Sequence, residues 1–279
     1  VRLVGGDRTV STTNSNVVFA STVNSDGTAR ALTVTNGTGD TTFSGAIGGS
    51  APVSTLTITS DQLTAGAITL NGALTATLGG SSTISGVIAN GGGGTANLVK
   101  AGNGTLTLSA SNTYTGTTAI NAGDLTVSGS LHDDTAVSIA SGADYNVNAS
   151  DTVASIEGAG DIVLASSQTL TAGDGNNKTF SGVMSGAGNY IKAGGGTQTL
   201  SASNTYTGTT QVSAGTLTVS GSGRLSDDTA VTVDSGATYN VAVSDTVASI
   251  AGAGSITLGS NTLTSGGSDA STTFSGVIS

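Results

Sequence analysis

His132 is the only histidine in the chain of 279 residues, and Asp133 and Asp134 follow it directly. A Ser-His-Asp arrangement for nucleophilic catalysis would therefore have to use this imidazole as its general base. A second copy of the same segment, described below, has Ser226 at the matching position. We therefore predict that His132 is an exposed turn residue and that the chain has no catalytic residue and no enzymatic activity.

Two pairs of adjacent aspartates, Asp133/Asp134 and Asp227/Asp228, are of the residue type that glycoside hydrolases and calcium sites use. Adjacent residues of a strand point to opposite faces, so neither pair directs two carboxylates at one sugar. Each pair directly precedes an alternating apolar segment, where aspartate commonly forms a turn. We predict turns at both places.

The sequence contains only weak candidates for a metal or cofactor site. Residues 158–164, Gly-Ala-Gly-Asp-Ile-Val-Leu, resemble a single calcium-binding nonapeptide of β-rolls, but that motif binds in tandem and the second copy has Ser255 in place of Asp161. Asp174 and Asp269 leave weak ion binding at loop corners open. Gly91–Gly94 lacks the Lys-Ser/Thr of a phosphate loop. We predict no cofactor and no metal.

Four tyrosines occupy matching positions of the two copies: Tyr114 with Tyr206, and Tyr145 with Tyr239. One interpretation places their rings inside the fold, where they stack and fill corners. The other makes them an exposed aromatic ladder that adheres to sugars or hydrophobic surfaces. The sequence leaves both open, and these four residues are its candidate adhesive site.

The chain repeats itself. Residues 97–128 return as residues 189–220, and Phe180–Ser185 returns as the last six residues. A repeat architecture is therefore expected. We predict a shaft with divergent repeats over 1–96, a first module over 97–188 and a second over 189–279, which ends at the start of a third.

Composition favours an all-β fold. There are 44 glycines, one proline and no cysteine, and apolar residues alternate with Thr or Ser, as in Thr105–Leu108 and Ala230–Val233. The net charge of −10 argues against a nucleic-acid partner, which requires a basic face. No apolar run approaches the length of a membrane span, so we predict no membrane insertion of this segment.

The spacing of apolar residues predicts a parallel β-solenoid with turns of about 18 residues, stacked in modules of about 93 residues. Leu and Val would fill the interior, Thr and Ser the outside, and Gly and Asn the corners. A sandwich or closed barrel is the alternative for short strands, but it does not explain a tandem copy. One buried column is expected to contain five residues: Leu108, Val127, Val147, Leu164 and Leu200.

The pattern K-A-G-x-G-T-L-T-L-S-A-S-N-T-Y-T-G-T-T, present at Lys100–Thr118 and nearly unchanged from Lys192, resembles the autotransporter-associated β-strand repeat. That repeat occurs in passenger regions of Gram-negative autotransporters. Residues 17–88 are similar to the shafts of filamentous-haemagglutinin-type exoproteins. The resemblance implies a right-handed parallel β-helix exported to the extracellular side of the bacterial cell surface, as part of a larger protein.

From this resemblance we expect a non-catalytic structural segment that acts as a stalk or adhesive shaft and contacts a ligand on a host or neighbouring cell. Two further functions stay open. End-to-end stacking between Val1–Val4 and Phe274–Ser279 would give an extracellular filament, unless the chain continues there. Rows of outward threonines, such as Thr105/Thr107 and Thr216/Thr218, would bind a ligand such as ice, although irregular turn lengths are expected to break a threonine lattice.

Overall fold

The computed structural model of the protein describes residues 1–268 and 270–279. These residues form 35 strands joined by turns and bends, and they contain no helix, hence none that would cross a membrane. The chain divides into two compact units, Val1–Tyr145 and Asn146–Ser279. The module boundaries predicted above concern sequence repeats and stay predictions.

The first unit contains seventeen strands within the described residues, and β18 (Ala143–Val147) includes the boundary between the units. They are β1 (Arg2–Leu3), β2 (Arg8–Ser11), β3 (Val17–Phe19), β4 (Asn24–Ser25), β5 (Leu32–Thr35), β6 (Thr41–Phe43), β7 (Leu56–Ser60), β8 (Leu63–Ala65), β9 (Ile68–Leu70), β10 (Ala73–Leu78), β11 (Ser82–Ile84), β12 (Ile88–Asn90), β13 (Asn97–Ala101), β14 (Thr105–Leu108), β15 (Thr118–Ile120), β16 (Gly123–Val127) and β17 (Ala136–Ile139).

The second unit contains the remaining strands. They are β19 (Asp151–Val153), β20 (Ser155–Gly158), β21 (Asp161–Leu164), β22 (Thr169–Ala172), β23 (Lys178–Phe180), β24 (Met184–Gly186), β25 (Asn189–Lys192), β26 (Thr197–Leu200), β27 (Thr210–Val212), β28 (Thr216–Val219), β29 (Ala230–Val233), β30 (Thr238–Val241), β31 (Asp245–Val247), β32 (Ser249–Gly252), β33 (Ser255–Thr257), β34 (Leu263–Ser265) and β35 (Val277–Ile278).

Each unit is a parallel β-solenoid, as predicted. In the first unit, one sheet runs β2-β5-β7-β10-β13-β15-β17 and another runs β3-β6-β8-β11-β14-β16. In the second, the two long sheets run β20-β23-β26-β28-β30-β33-β35 and β19-β22-β25-β27-β29-β32. Strand neighbours are one turn apart in the chain, so each turn hydrogen-bonds to the turns on either side of it.

Alternation of apolar and polar residues builds the interior. In β7, Leu56 and Ile58 are buried, while the threonines between and after them face outward. Leu56 pairs with Leu74 on the next turn, and Leu74 pairs with Leu98, so like residues stack along the solenoid. β-Branched residues suit this pleated, half-buried surface, which explains the Thr-rich composition.

Turn length varies more than the sequence predicts. The turn that leads from Tyr239 to its partner Ile256 is several residues shorter than the turn that leads from Leu32 to its partner Leu56. The strands keep their register because the additional residues lie in the corners between them. The solenoid therefore tolerates unequal repeats without losing its core.

The predicted single column of apolar residues is correct in part. All five residues are fully buried, and Leu108 pairs with Val127 as expected. Leu164, however, pairs with Gly186, whereas Leu200 lies in another sheet, where it pairs with Phe180 and Val219. The segment from Leu164 to Leu200 does not span a whole number of turns, so the two leucines lie on different faces.

Candidate functional site

The histidine lies in a surface turn. Thr135 N donates to the His132 carbonyl oxygen at 2.8 Å, and Asp134 N donates to His132 Nδ1 at 3.2 Å. Asp133 and Asp134 are exposed. The corresponding turn of the second copy is closed in the same way, by Thr229 N and the Ser226 carbonyl at 3.0 Å. Both aspartate pairs are therefore part of local turns, as the sequence indicates.

The candidate ion ligands make local hydrogen bonds. Asp161 Oδ1 accepts from Val183 N at 2.8 Å, and Asp174 Oδ1 accepts from Asn176 N at 2.7 Å. Within residues 1–268 and 270–279, no three His, Cys, Asp or Glu residues cluster closely enough to hold a metal. Asp269 lies outside the described residues. Gly91–Gly94 forms a turn in which Gly94 N donates to the Gly91 carbonyl at 3.3 Å.

The adhesive interpretation of the tyrosines is wrong. Each of the four side chains, Tyr114, Tyr145, Tyr206 and Tyr239, is 0% exposed. All four occupy inward positions. The hydroxyl partners of three of them, all inside the solenoid, are as follows. Tyr114 Oη lies 2.5 Å from Thr118 Oγ1, and Tyr206 Oη lies 2.5 Å from Thr210 Oγ1. Tyr239 Oη donates to Asp245 Oδ2. The rings fill the core, as the alternative interpretation of the sequence proposed.

A buried asparagine in each copy connects three successive turns. Asn112 Oδ1 accepts from Ile88 N of the preceding turn at 3.0 Å, while Nδ2 donates to Ala110 O at 3.0 Å and to Ser130 O of the following turn at 2.9 Å. The side chain thus satisfies backbone groups that lie outside the strand ladders. We call this arrangement the asparagine bracket.

The second copy reproduces the bracket atom for atom. Asn204 Oδ1 accepts from Met184 N at 2.9 Å, and Nδ2 donates to Ala202 O at 3.0 Å and Arg224 O at 2.8 Å. Both asparagines are 4% exposed, so water does not compete for these bonds. The same amide in the same geometry in two copies indicates a structural requirement of the repeat.

A buried lysine forms a second bracket. Lys100 Nζ donates to the carbonyl oxygens of Ala101 at 3.0 Å, Gly102 at 2.7 Å and, on the next turn, Ala122 at 3.0 Å. Three N–H donors therefore meet three backbone acceptors, which is the full capacity of an ammonium group. Lys100 itself is 0% exposed.

Lys192 repeats this lysine bracket. Its Nζ donates to Ala193 O at 2.5 Å, Gly194 O at 2.9 Å and Ala214 O of the next turn at 3.1 Å. The aliphatic stem of Lys192 occupies an inward strand position, and the charged end closes the corner. Neither lysine is among the candidate residues predicted from the sequence. The signal that could have revealed them is that both copies have a lysine at this position, in a segment with few other charged residues.

The lysine bracket predicts an unusual pH dependence. Burial lowers the pKa of Lys100 to about 8, against the opposing effect of the Asp124 carboxylate, and burial also lowers the pKa of Lys192. Between pH 8 and the unfolded value of 10.5 the unfolded chain binds more protons than the folded chain, so stability rises with pH in this window.

We therefore expect the free energy of unfolding to rise, from pH 8 to pH 10, by on the order of 1–3 kcal/mol more in the wild type than in Lys100→Met. Urea unfolding monitored by circular dichroism at several pH values measures it. Parallel pH profiles for the two proteins would contradict it.

Comparison with known sequences identifies the repeated segment. Residues 98–127 and 191–219 match the Passenger-associated-transport-repeat family. Each copy of the repeat therefore contains one matched segment. These two segments include the asparagine and the lysine of each bracket, together with Tyr114 and Tyr206, so the matched repeat contains the asparagine and lysine side chains that connect its turns. The resemblance to autotransporter passenger repeats is confirmed.

A curated relative agrees with the match to a passenger repeat. The chain is 36% identical to the "Adhesin BmaC autotransporter" of Brucella suis biovar 1 (strain 1330), over an alignment of 134 positions that covers 44% of this chain. The aligned part is only 4% of the relative's length. No solved structure matches the chain. With the solenoid fold, the passenger-associated transport repeats support a structural segment of a surface protein.

Proposed function

We propose that this chain is a non-catalytic stalk or adhesive shaft of a secreted, surface-exposed protein that takes part in attachment. One observation carries the proposal: the asparagine and lysine side chains that recur in both matched segments hold turns together, and the recurring tyrosine is bonded within its own turn. Asn112, Lys100 and Tyr114 are buried and bonded within the solenoid, and so are their copies in the second repeat. Residues used in this way position backbone, and they have no free group to offer a substrate.

Stiffness follows from the brackets. Because each asparagine bonds to the preceding and the following turn, bending the solenoid at that corner breaks buried hydrogen bonds as well as the ladders. A buried bond of this kind is costly to leave unsatisfied, on the order of 1–3 kcal/mol per group. A stalk needs this local resistance, because it must transmit force without extending.

The adhesive part of the proposal draws support from the relative, which is itself named an adhesin. The chain covers a small part of that protein, so the ligand of the whole protein does not carry over to this segment. An outward surface of the solenoid would have to supply any contact, because the candidate tyrosines are buried.

Mechanical unfolding of the single chain tests the stalk. Cysteines added at the two ends attach the chain for pulling, since the sequence contains none. We expect separate force peaks whose contour-length increments are multiples of one turn, about 60–85 Å at the reach of an extended chain. Smooth extension without peaks would overturn the proposal. Electron micrographs of the free protein with long uniform fibres would favour the filament instead.

A further inference from the structure

In the first unit, strands β2, β5, β7 and β10 carry a rectangular array of hydroxyl side chains on the outer surface of their sheet. We call it the threonine face. One column of the array consists of Thr9, Thr33, Thr57 and Thr75, and the neighbouring column consists of Ser11, Thr35, Thr59 and Thr77.

The two columns stay in register across unequal turns. Thr33 pairs with Thr57 and Thr57 with Thr75, although the first two lie further apart in the chain than the second two. Thr35, Thr59 and Thr77 follow the same register. The expectation that irregular turn length breaks a threonine lattice is therefore wrong for this face, because the additional residues lie in the corners.

The threonine pairs named from the sequence do not form such an array. Thr105 Oγ1 donates to Asp124 Oδ2 at 3.0 Å, and Thr218 Oγ1 accepts from Asn240 Nδ2 at 3.3 Å while only 8% exposed. On the threonine face, by contrast, the eight hydroxyls make no hydrogen bond to any other described residue. They are available to an external partner.

The threonine face is also neutral. Its two columns include no ionisable side chain, and the outward residues on the next strand, Val99 and Ala101, are apolar. The chain as a whole has a net charge of −10. A neutral, regular partner suits this surface, since an ionic partner would find no complementary charge on it.

We propose that the threonine face binds the surface of ice. Stacked parallel strands place hydroxyls about 4.8 Å apart along a column, and alternate residues of a strand lie about 6.6 Å apart between columns. These two distances are comparable with the oxygen repeats on a prism plane of hexagonal ice. Seven of the eight residues are threonines, which present a methyl group beside the hydroxyl, so the face orders water in the troughs between columns and anchors it through the hydroxyls.

A neutral polysaccharide is the rival partner for a hydroxyl-rich surface. Sugar binding on proteins draws on aromatic faces, but Tyr114 and Tyr145 of the first unit are buried and no aromatic residue belongs to the threonine face. Ice binding is a function separate from that of the stalk, which mechanical unfolding tests independently of this face.

Ice-crystal growth in the presence of the purified chain tests the inference. We compare the wild type with Thr57→Tyr, which places a ring in the middle of the array, and with Thr171→Tyr, an outward threonine on β22 of the second unit. Circular dichroism verifies that all three are folded. We expect faceted crystals and thermal hysteresis for the wild type and Thr171→Tyr, and loss of both for Thr57→Tyr.

Every other result overturns the inference. A folded wild type without hysteresis shows that the face does not bind ice, and hysteresis retained by Thr57→Tyr shows that another surface binds it. If the wild type lacks hysteresis but sediments with an insoluble neutral polysaccharide, and Thr57→Tyr does not, the face is a glycan-binding surface and the assignment to ice is wrong.

Discussion

Gly208→Ala is expected to destabilise the chain by about 3 kcal/mol, the upper end of the usual cost of overpacking. A Cβ atom at Gly208 would lie 2.1 Å from the carbonyl oxygen of Gly188 and 2.5 Å from its carbonyl carbon. Both are backbone atoms of the preceding turn and cannot rotate away. Gly116, the matching residue of the first repeat, would meet the Ala96 carbonyl oxygen at the same distance of 2.1 Å.

Gly195→Asn is the matched control for this substitution. A Cβ atom at Gly195 meets nothing within 4 Å, and the first repeat has Asn103 at this position. We expect a change within about 0.5 kcal/mol, as for ordinary surface sites. Urea unfolding monitored by circular dichroism compares the two variants. Equal midpoints would show that the close approach of the turns at Gly208 does not hold in solution.

Asn112→Ala is expected to cost about 2–3 kcal/mol, because it leaves the buried Ile88 N–H without its acceptor and removes two donors from backbone carbonyls. The carbonyls of Ala110 and Ser130 keep other donors, Ser130 N at 3.2 Å and Asn112 N at 2.9 Å. Most of the lost stability is therefore expected to come from the unsatisfied Ile88 N–H. Hydrogen exchange of the Ile88 amide should accelerate more than that of other amides in the same turn.

Asn103→Ala provides the control within the same repeat. Asn103 is exposed, and its copy is Gly195, so we expect a change within about 0.5 kcal/mol. If Asn112→Ala and Asn103→Ala lower the free energy of unfolding by the same amount, the hydrogen bonds of the bracket do not stabilise the chain. The asparagine that recurs in the two repeats would then have a role other than bonding between turns.

The parallel solenoid could be predicted because the sequence copies itself. A segment that returns later in the chain with its Thr–apolar alternation intact requires stacked, similar turns, and the alternation itself assigns Leu106 and Leu108 to the interior. The corners were harder to predict. Whether Tyr114 points inward depends on the path of the chain around the corner, and the pattern Thr-Tyr-Thr fits an inward and an outward tyrosine equally well.

The brackets and the threonine face could not be read from the sequence for a different reason. A buried Lys100 contradicts the usual exposure of lysine, and only the carbonyls of Ala101, Gly102 and Ala122, which converge in three dimensions, make it stable there. The threonine columns combine residues at unequal spacings along the chain, so no fixed period reveals them. The threonine face forms because the additional residues of the longer turns lie in the corners. The brackets form because the path of the backbone through the corners brings backbone polar groups together.

Spin-label distances within the first unit test the parallel solenoid most directly. Thr42, Thr64, Thr83, Thr107 and Thr126 form one outward column, each paired with the next. With one cysteine at position 126 and a second at position 83, 64 or 42, pulsed electron paramagnetic resonance should show the separation growing by about 4.8 Å per turn, to about 19 Å between the backbones of residues 42 and 126. Separations that do not increase evenly along this series would contradict the parallel stacking of the turns.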